Sequence, residues 1–319
     1  MSTPRTAVQV EYFGKALVEL GGRHKDLVVL DADVSASTKT SYYEERFPKR
    51  FIQTGISEQD MIGIASGLAL SGKTAVAAAF ANFLVGRGWE QIMNSVSRQR
   101  LNVKIVGTHA GLSSSSDGAS HQALGDVALM RVIPNMTVVV PSDASQAGNA
   151  ITELVESYGP AYLRLRRGPT PVVYKDDAEY TVGEAITIRD GSDATVICNG
   201  SMVAMALDAA EKLLNYDVNV RVIDMHTIKP LDRDAIIKAA SETGAIVTAE
   251  EHNINGGLGS AVAECLSEEK PTIMKRVGVP DRFGASSRSY TDLMNYLGLT
   301  PDEIVNAVRD VIKEKIRCQ

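Results

Sequence analysis

Two histidines and an aspartate lie close together in the sequence, where a predicted strand ends. His109 closes the strand, and Asp117 and His121 follow in a serine-rich loop. Gly111 and Gly118 would allow tight backbone turns there, so the three polar side chains could converge and act as acids, bases or substrate ligands. A solvated loop in which Asp117 is a turn residue fits the same pattern. The spacing matches no recognised metal-ligand pattern.

A second candidate is an acid at the start of a predicted helix. The segment Gly55-Ile-Ser-Glu58-Gln-Asp60 follows a strand and precedes small, apolar residues. On sequence alone Glu58 could be an ordinary first-turn acid at the positive end of the helix dipole, with Ser57 as cap and Asp60 closing a capping-box-like pair. A buried carboxyl at this point would favour its neutral form and could hold a proton at neutral pH.

Three arginines end another predicted strand. Alternation sends Arg164 and Arg166 to one face and Arg167 to the other. Guanidinium groups at a strand end are suited to anchor a phosphate or a carboxylate. A solvated edge that pairs with surface acids is an equally good interpretation.

Two glycine-rich segments resemble phosphate-binding loops without the context that such loops need. Residues 67–74 match G-x-x-x-x-G-K-[ST], but a predicted helix (61–70) precedes them and a predicted strand (74–80) follows, which inverts the required order. Gly72 is better explained as a helix C-cap. Gly256-Gly-Leu-Gly259 lacks the G-x-G-x-x-G order and indicates only a Gly-rich helix start.

The elements that must position these residues alternate between short β-branched runs and amphipathic stretches, which predicts βαβ units and a mostly parallel sheet. Ligands of such sheets bind at the carboxyl ends of the strands. The Pro-rich segment 168–175 separates two such series and predicts domains at 1–175 and 176–319. The predicted strands are 27–30, 51–54, 74–80, 103–108, 137–140, 161–165, 194–198, 218–224 and 245–249, with a helix at 203–214.

Composition narrows the class of protein. The 319 residues favour two domains, and a net charge of −6 without a basic cluster argues against nucleic-acid binding. Three separated cysteines indicate neither disulfides nor a zinc site, so we expect a reduced, cytoplasmic setting. The N-terminal segment shows no signal-peptide pattern and no apolar run approaches membrane-spanning length, so we expect a soluble, unprocessed chain without membrane contact.

Taken together, the motifs resemble the carboxyl-terminal half of transketolase, a thiamine diphosphate enzyme. The resemblance covers essentially the whole chain and implies a pyrimidine-binding-type, doubly wound parallel sheet domain followed by a smaller α/β domain of the transketolase C-terminal type. Its carriers are Ala32-Asp33-Val-Ser35-Ala-Ser37, Gly55 to Met61, Phe80-Ala-Asn-Phe83, Thr108-His109, Asp117 to Gln122, Arg131 to Met136, Pro141-Ser-Asp143, Glu250-Glu-His-Asn253 and Gly256 to Gly259.

The resemblance assigns cofactor roles to four residues. Glu58 matches the glutamate that hydrogen-bonds the pyrimidine nitrogen and promotes the tautomer that deprotonates the thiazolium ring, which agrees with a buried, proton-holding carboxyl. Phe80 and Phe83 match an aromatic pair of which one ring stacks on the pyrimidine, and spacing does not decide between them. Asp33 falls where the family has an aspartate near the cofactor.

The resemblance also assigns substrate roles. His121 corresponds to a catalytic histidine near the reacting carbons, and Asp117 to the aspartate that contacts a sugar hydroxyl. Cationic and hydroxyl groups from separate segments suit a sugar phosphate. The implied phosphate ligands are Arg5, Ser37, His109 and Arg166, and Arg167 replaces Arg166 under a one-residue shift.

The sequence departs from the family pattern in three places. Ala119 and Ser120 stand where Pro and Thr are common, and Gly86 stands where a further ring or a charged residue is usual. The Gly-Asp-Gly segment that binds Mg²⁺ and the diphosphate in full-length members is absent from the 319 residues. We therefore expect a partner subunit resembling the N-terminal half of transketolase, with the Mg²⁺ ligands on that partner, in an α2β2 assembly.

The implied reaction transfers a two-carbon ketol unit from a ketose phosphate to an aldose phosphate, as in the pentose phosphate pathway, and only in the assembled enzyme. A deoxyxylulose-phosphate synthase or the β subunit of a 2-oxo acid dehydrogenase are alternatives with similar architecture. Thr108-His109 favours transketolase, since the synthase usually has Asp-Arg there. A catalytically inactive regulatory subunit is a further alternative, because a fold does not establish a function.

Overall fold

In the structure, a computed structural model, residues 5–175 and 178–318 are described. Helices and strands alternate along them, as the sequence predicts. The strands are β1 (Thr6–Val8), β2 (Leu27–Asp31), β3 (Phe51–Gln53), β4 (Thr74–Phe80), β5 (Val103–Thr108), β6 (Thr137–Val139), β7 (Ala161–Arg164), β8 (Pro169–Pro171), β9 (Ile186–Arg189), β10 (Ala194–Cys198), β11 (Val220–Asp224), β12 (Thr227–Lys229), β13 (Ala245–Asn253) and β14 (Ile273–Val279).

The helices complete the two series. A 3-10 turn forms at Pro48–Arg50, and a π-helical segment at Ile92–Ser97. The α-helices are α1 (Gln9–Arg23), α2 (Ser35–Thr38), α3 (Ser41–Arg46), α4 (Glu58–Leu70), α5 (Ala81–Gln91), α6 (Asp126–Arg131), α7 (Ala144–Glu156), α8 (Met202–Leu214), α9 (Arg233–Thr243), α10 (Leu258–Glu269), α11 (Tyr290–Tyr296) and α12 (Pro301–Cys318).

The first half forms a parallel sheet of the doubly wound type. Its strand order is β12-β6-β7-β5-β4-β2-β3, and each pair is parallel except β12 with β6. β4 is buried along almost its whole length, which is why it is a continuous apolar run after Thr74 without alternation; β5 is equally buried and is apolar apart from Thr108 and Lys104, whose Nζ donates to two backbone carbonyls. Helices α1 and α7 pack against each other through apolar residues such as Phe13 and Ile151, and α4 contacts α5.

The second half forms a smaller sheet of order β14-β13-β10-β11-β9, in which only β9 runs antiparallel. β13 continues to Asn253 and does not end at Ala249 as predicted. The extension arises because β14, which sequence analysis missed, gives this strand a partner as far as Val279.

Two strand pairings join segments that lie far apart in the sequence. β12 of the second half pairs with β6 of the first half, and β8 pairs with β1. The Pro-rich segment is therefore partly a strand, and the N–H groups of Val173 and Tyr174 each donate to Asp143 at 2.8 Å. The domain division at 175/176 stays a prediction.

Candidate functional site

The carboxyl ends of five neighbouring strands form one edge of the first sheet, and the predicted site residues lie along it. Because β7, β5, β4, β2 and β3 are adjacent in that order, the segments that follow them are brought side by side. In strand order they carry Arg166 and Arg167, then His109, then Phe80 and Phe83, then Asp33 and Ser37, and finally Glu58.

The aromatic pair and the two histidines form a cluster at this edge. The rings of Phe80 and His109 pack face to face with a tilt of 31° and centroids 4.0 Å apart, and the rings of Phe83 and His121 form a T-shaped pair with centroids 4.9 Å apart. Phe80 and Phe83 lie 6.3 Å apart. The convergence predicted from the sequence therefore forms, with one histidine against each phenylalanine.

His109 is held in an unusual conformation and environment. Its φ of 57° lies in the left-handed region, and its Nδ1 lies 3.1 Å from the hydroxyl of Thr108. Burial, assisted by the charge of Arg167, lowers the pKa of His109 to about 4. The imidazole is thus neutral near pH 7 and can offer a phosphate a neutral N–H.

Glu58 is buried at the first position of α4, but it has a counter-ion. Nη1 of Arg87 donates to both carboxylate oxygens at 2.7 and 2.9 Å, and the Arg87 guanidinium lies 4.5 Å from the centroid of the Phe83 ring. The carboxyl is therefore buried, which was the condition for the proton-holding role, and it is paired with a positive charge. Ser57 occupies the N-cap position but does not cap, because its hydroxyl donates to the Thr54 carbonyl at 2.8 Å.

A close approach of α5 to α4 makes this arrangement possible. Gly88 lies at this contact, where a Cβ would be 3.4 Å from Ile62 and 3.7 Å from the Glu58 carbonyl, which are ordinary van der Waals distances. Phe83 and Arg87 are four residues apart and share one helix face. That spacing was the available sequence signal for Arg87, which sequence analysis missed.

The loop after β5 contacts both halves of the protein. Asp117 pairs with Nη1 of Arg167 at 3.1 Å, and Asn82 donates to the Ser120 carbonyl at 2.6 Å. Gln122 donates at 2.8 Å to the carbonyl of Ala285 in the second half. The loop is therefore held by specific contacts and is not simply a solvated turn.

The three arginines have different surroundings. Arg164 is buried and pairs with Asp126 at 2.7 Å, so the surface-acid interpretation is wrong for this residue. Arg166 is half-buried, with its guanidinium 4.2 Å from the centroid of the Tyr290 ring. Arg167 is exposed, pairs with Asp117, and has a charge that contributes to the lowered pKa of His109.

The remaining predicted ligands are placed as follows. Asp33 is exposed after β2 with a φ of 63°, and its N–H donates to Gln53 at 2.6 Å. Ser37 is exposed in α2, and the Arg5 carbonyl accepts from Val172 at 2.9 Å. Sequence analysis missed Asp31, a buried carboxylate that accepts hydrogen bonds from Val34, Thr38 and Thr40 and so fixes the loop that carries Asp33 and Ser37.

Neither glycine-rich segment forms a phosphate cradle. In residues 67–74 the helix precedes the strand, and Gly72 has a φ of +80°, which suits a residue just past a helix end. At the start of α10, Glu250 already accepts the Leu258 and Gly259 N–H groups at 2.7 and 2.8 Å. A nucleotide-hydrolase function is therefore unsupported.

Glu251 in β13 links the second half to the site, and sequence analysis gave it no role of its own. Its carboxylate accepts from the N–H of Leu112 at 2.6 Å and from the hydroxyl of Tyr290 at 2.7 Å, and Ser201 also donates to it. Tyr290 in turn lies under Arg166. The second half thus supports both the loop after β5 and the arginine after β7.

The donor set fits an aminopyrimidine ring. Phe83 offers an aromatic surface. A group on that surface can reach the Glu58 carboxylate, because the Arg87 guanidinium lies over the ring and donates to this carboxylate. Planar nitrogen heterocycles stack on phenyl rings and hydrogen-bond to carboxylates. Across residues 5–175 and 178–318, no group of three or more metal-ligating side chains occurs, and no helix has the length and apolarity to cross a bilayer.

Comparison with known proteins agrees with this geometry. The family model described as "Transketolase, pyrimidine binding domain" matches residues 8–172, and "Transketolase, C-terminal domain" matches residues 183–304. A curated relative from Methanocaldococcus jannaschii, "Putative transketolase C-terminal section", is 42% identical over 306 residues, which cover 95% of this chain and 96% of the relative.

Two further matches also cover nearly the whole chain. A Clostridium protein, "6-deoxy-6-sulfo-D-fructose transketolase subunit SqwH", is 40% identical over 94% of this chain and 92% of its own length. A solved structure described as "Split gene transketolase, inactive beta4 tetramer" superimposes with a TM-score of 0.90 at 46% identity and covers 97% of this chain and 99% of that chain.

Proposed function

The chain belongs to the transketolase family, and we propose that it is one subunit of a split, thiamine diphosphate-dependent transketolase. The assembled enzyme transfers a two-carbon ketol unit from a ketose phosphate to an aldose phosphate. The observation that carries this proposal is that the Glu58 carboxylate and the Phe83 ring contact the same guanidinium, that of Arg87, at 2.7 and 4.5 Å. These are the two groups that an aminopyrimidine requires.

Bound thiamine diphosphate supplies the electron sink for breaking and forming the carbon–carbon bond. Phe83, and not Phe80, is the proposed stacking ring, because Phe83 contacts the same guanidinium as Glu58, whereas Phe80 packs against His109. Glu58 holds a proton at the pyrimidine nitrogen, and its burial keeps water from competing for that hydrogen bond. Asp33 lies at the same sheet edge, where it lines the approach to the cofactor.

The same edge suits a phosphorylated sugar. His121, beside Phe83, is the proposed acid–base group at the reacting carbons, and Asp117 accepts a hydrogen bond from a substrate hydroxyl. His109 binds the phosphate as a neutral donor, since burial keeps its pKa at about 4. The other proposed phosphate ligands are Arg5, Ser37 and Arg166, with Arg167 as the alternative to Arg166.

A partner subunit completes the proposed site by supplying the Mg²⁺ and diphosphate ligands. The names of two matches support this: one is called a transketolase subunit, and the other an inactive β4 tetramer of a split-gene enzyme. An α2β2 assembly has the closed symmetry usual for such oligomers. Because Ala119 and Ser120 depart from the family pattern, the assay includes several acceptor sugars.

The test is ketol transfer from xylulose 5-phosphate to ribose 5-phosphate with thiamine diphosphate and Mg²⁺. We expect activity from the chain copurified with its partner and none from the chain alone. If the pair binds the cofactor but shows no activity with these sugars, assays with other ketose phosphates and with 2-oxo acids identify the substrate. Decarboxylation of a 2-oxo acid by the pair would overturn the transketolase proposal in favour of a dehydrogenase subunit.

A further inference from the structure

Arg87 makes the two contacts that the proposed cofactor ring would make. Its guanidinium lies over Phe83 at 4.5 Å, and Nη1 donates to both oxygens of Glu58. Any planar group that stacks on this ring and also reaches this carboxylate occupies the same volume. We propose that Arg87 is an internal occupant of the aminopyrimidine subsite, which the cofactor must displace; this inference rests on the proposed function.

The position of Arg87 in α5 allows its side chain to occupy the subsite without a change in the backbone. It lies one turn after Phe83 in α5, so stacking on that ring requires no distortion of the backbone. The backbone of Arg87 is fixed by its carbonyl, which accepts from the side chain of Gln59 at 3.0 Å, and by neighbouring Gly88 against α4. Only the side chain must therefore move when the ring arrives.

Glu58 and Arg87 differ in burial, so Arg87 is the partner that can move away from the contact. The Glu58 side chain is 6% exposed, whereas the Arg87 side chain is 50% exposed. Displacement would therefore return the guanidinium to solvent, and Glu58 would take up a proton from solvent and donate it in a hydrogen bond to the ring nitrogen, so the buried carboxyl would not be left charged without a partner. Because a buried acid without a partner is strongly unfavourable, Arg87 keeps the empty subsite ordered at a modest cost in cofactor affinity.

The size of that cost follows from the two contacts that must break. A half-exposed ion pair and a cation–π contact are each weak, so we expect their removal to tighten cofactor binding by about five- to tenfold. The effect is limited to the fraction of molecules in which Arg87 occupies the subsite. It appears in the binding constant and does not require turnover.

The test is calorimetric titration of thiamine diphosphate, at saturating Mg²⁺, into the cofactor-free assembled pair. Arg87→Ala should bind about five- to tenfold more tightly than the unmodified pair. Arg309→Ala is the matched control, because Arg309 is an exposed arginine whose guanidinium lies 4.8 Å from the Tyr216 ring, away from the site. This control should leave the dissociation constant unchanged.

Arg87→Lys provides a second variant that retains the positive charge. A lysine keeps the charge but cannot stack as a plane on Phe83, so the affinity of the Arg87→Lys pair for the cofactor should lie between those of the unmodified pair and the Arg87→Ala pair. Equal or weaker binding by Arg87→Ala than by the unmodified pair would overturn the inference. Absence of binding by every assembled variant would instead refute the proposed function, on which the inference depends.

The free chain gives a readout that does not involve the cofactor. Arg87→Ala leaves Glu58 buried without a counter-ion, so its thermal midpoint should fall below that of the unmodified chain at pH 8. Glu58→Gln together with Arg87→Ala should recover most of the loss, because a neutral amide needs no counter-ion. An unchanged midpoint in Arg87→Ala would contradict an ordering role for this residue.

Discussion

The carboxylate of Glu251 accepts a hydrogen bond of 2.6 Å from the backbone N–H of Leu112, which lies 139 residues earlier in the chain. Gly111, with a φ of +62°, precedes Leu112 and has no room for a Cβ, because one would overlap the same carboxylate. The second half of the protein therefore fixes the loop that follows His109. This contact gives the C-terminal domain a structural role in the site.

The first prediction concerns that contact. Glu251→Ala leaves the Leu112 N–H and the hydroxyls of Ser201 and Tyr290 without their shared acceptor, and we expect it to lower the free energy of unfolding by about 2–3 kcal/mol. Urea denaturation measures this. Glu251→Gln should recover part of the loss, since its amide oxygen still accepts from Leu112.

Glu264→Ala is the surface control for this experiment. Glu264 is exposed and pairs with Arg131, so its removal should change the stability by less than about 1 kcal/mol. Equal losses in Glu251→Ala and Glu264→Ala would show that Glu251 does not hold the loop.

The second prediction concerns the proposed acid at the cofactor. Glu58→Gln in the assembled enzyme should lower kcat by about 10²-fold or more, because the amide cannot exchange a proton with the pyrimidine. Far-UV circular dichroism of the free chain should be unchanged. Glu19→Gln, at an exposed position of α1, is the matched control. Near-normal turnover in Glu58→Gln would refute the assignment of Glu58 as the acid at the cofactor.

The third prediction concerns the phosphate anchor. Arg166→Ala should raise KM for phosphorylated sugars by about ten- to a hundredfold with a smaller effect on kcat, as expected when uniform binding is lost. Tyr290→Phe keeps the ring beneath Arg166 and removes only its hydroxyl, so it should affect KM much less. An equal rise in KM for phosphorylated and unphosphorylated sugars would refute the role of Arg166 as phosphate anchor. Arg167 would then be the candidate for this role.

The fourth prediction concerns a buried acid between the two halves. Asp224 accepts from Ser142 at 2.6 Å, Gln146 at 2.9 Å and Tyr174 at 2.9 Å, and burial raises its pKa to about 7. In the unfolded chain an aspartate titrates near pH 4. Between about pH 4 and 7 the folded state therefore binds more protons than the unfolded state, and its stability falls as the pH rises.

Asp224→Asn removes this titration. The stability of the unmodified chain relative to Asp224→Asn should therefore fall by roughly 2 kcal/mol between pH 5 and pH 8, which urea denaturation at the two pH values measures. Other groups titrate equally in both proteins and cancel in the comparison. A pH-independent difference would mean that Asp224 is ionised throughout this range in the folded state.

The parallel strands of the first half were predictable because their signal is local. Buried strands such as β4 and β5 are mostly apolar, with Lys104 the one charged residue of the two, and have clear ends, and their predicted bounds are confirmed. β12 and β14 were missed for a different reason. β12 has only three residues, and β14 contains Lys275 and Arg276. Neither sequence alone therefore shows the pattern of a buried strand, and each strand is recognised only from its pairing in the structure.

The candidate site was predictable only in part. The strand ends that carry Glu58, His109 and Phe83 follow from the rule that ligands bind at the carboxyl edge of a parallel sheet. The contacts of Arg87 and Glu251 depend on how helices and halves pack, over separations of 29 and 139 residues. No local pattern encodes such distances, and this is why sequence analysis treated Glu58 as an isolated acid.

The pairing of β12 with β6 bears on how the protein can be divided. β12 covers the outer edge of the seven-stranded sheet, although it comes from the second half. A fragment that ends near Lys175 would keep the pairing of β6 with β7 but expose the other edge of β6, and exposed strand edges can recruit other chains into aggregates. The two halves are therefore best expressed as one polypeptide, and a soluble cofactor-binding fragment would need a substitute strand for Thr227–Lys229.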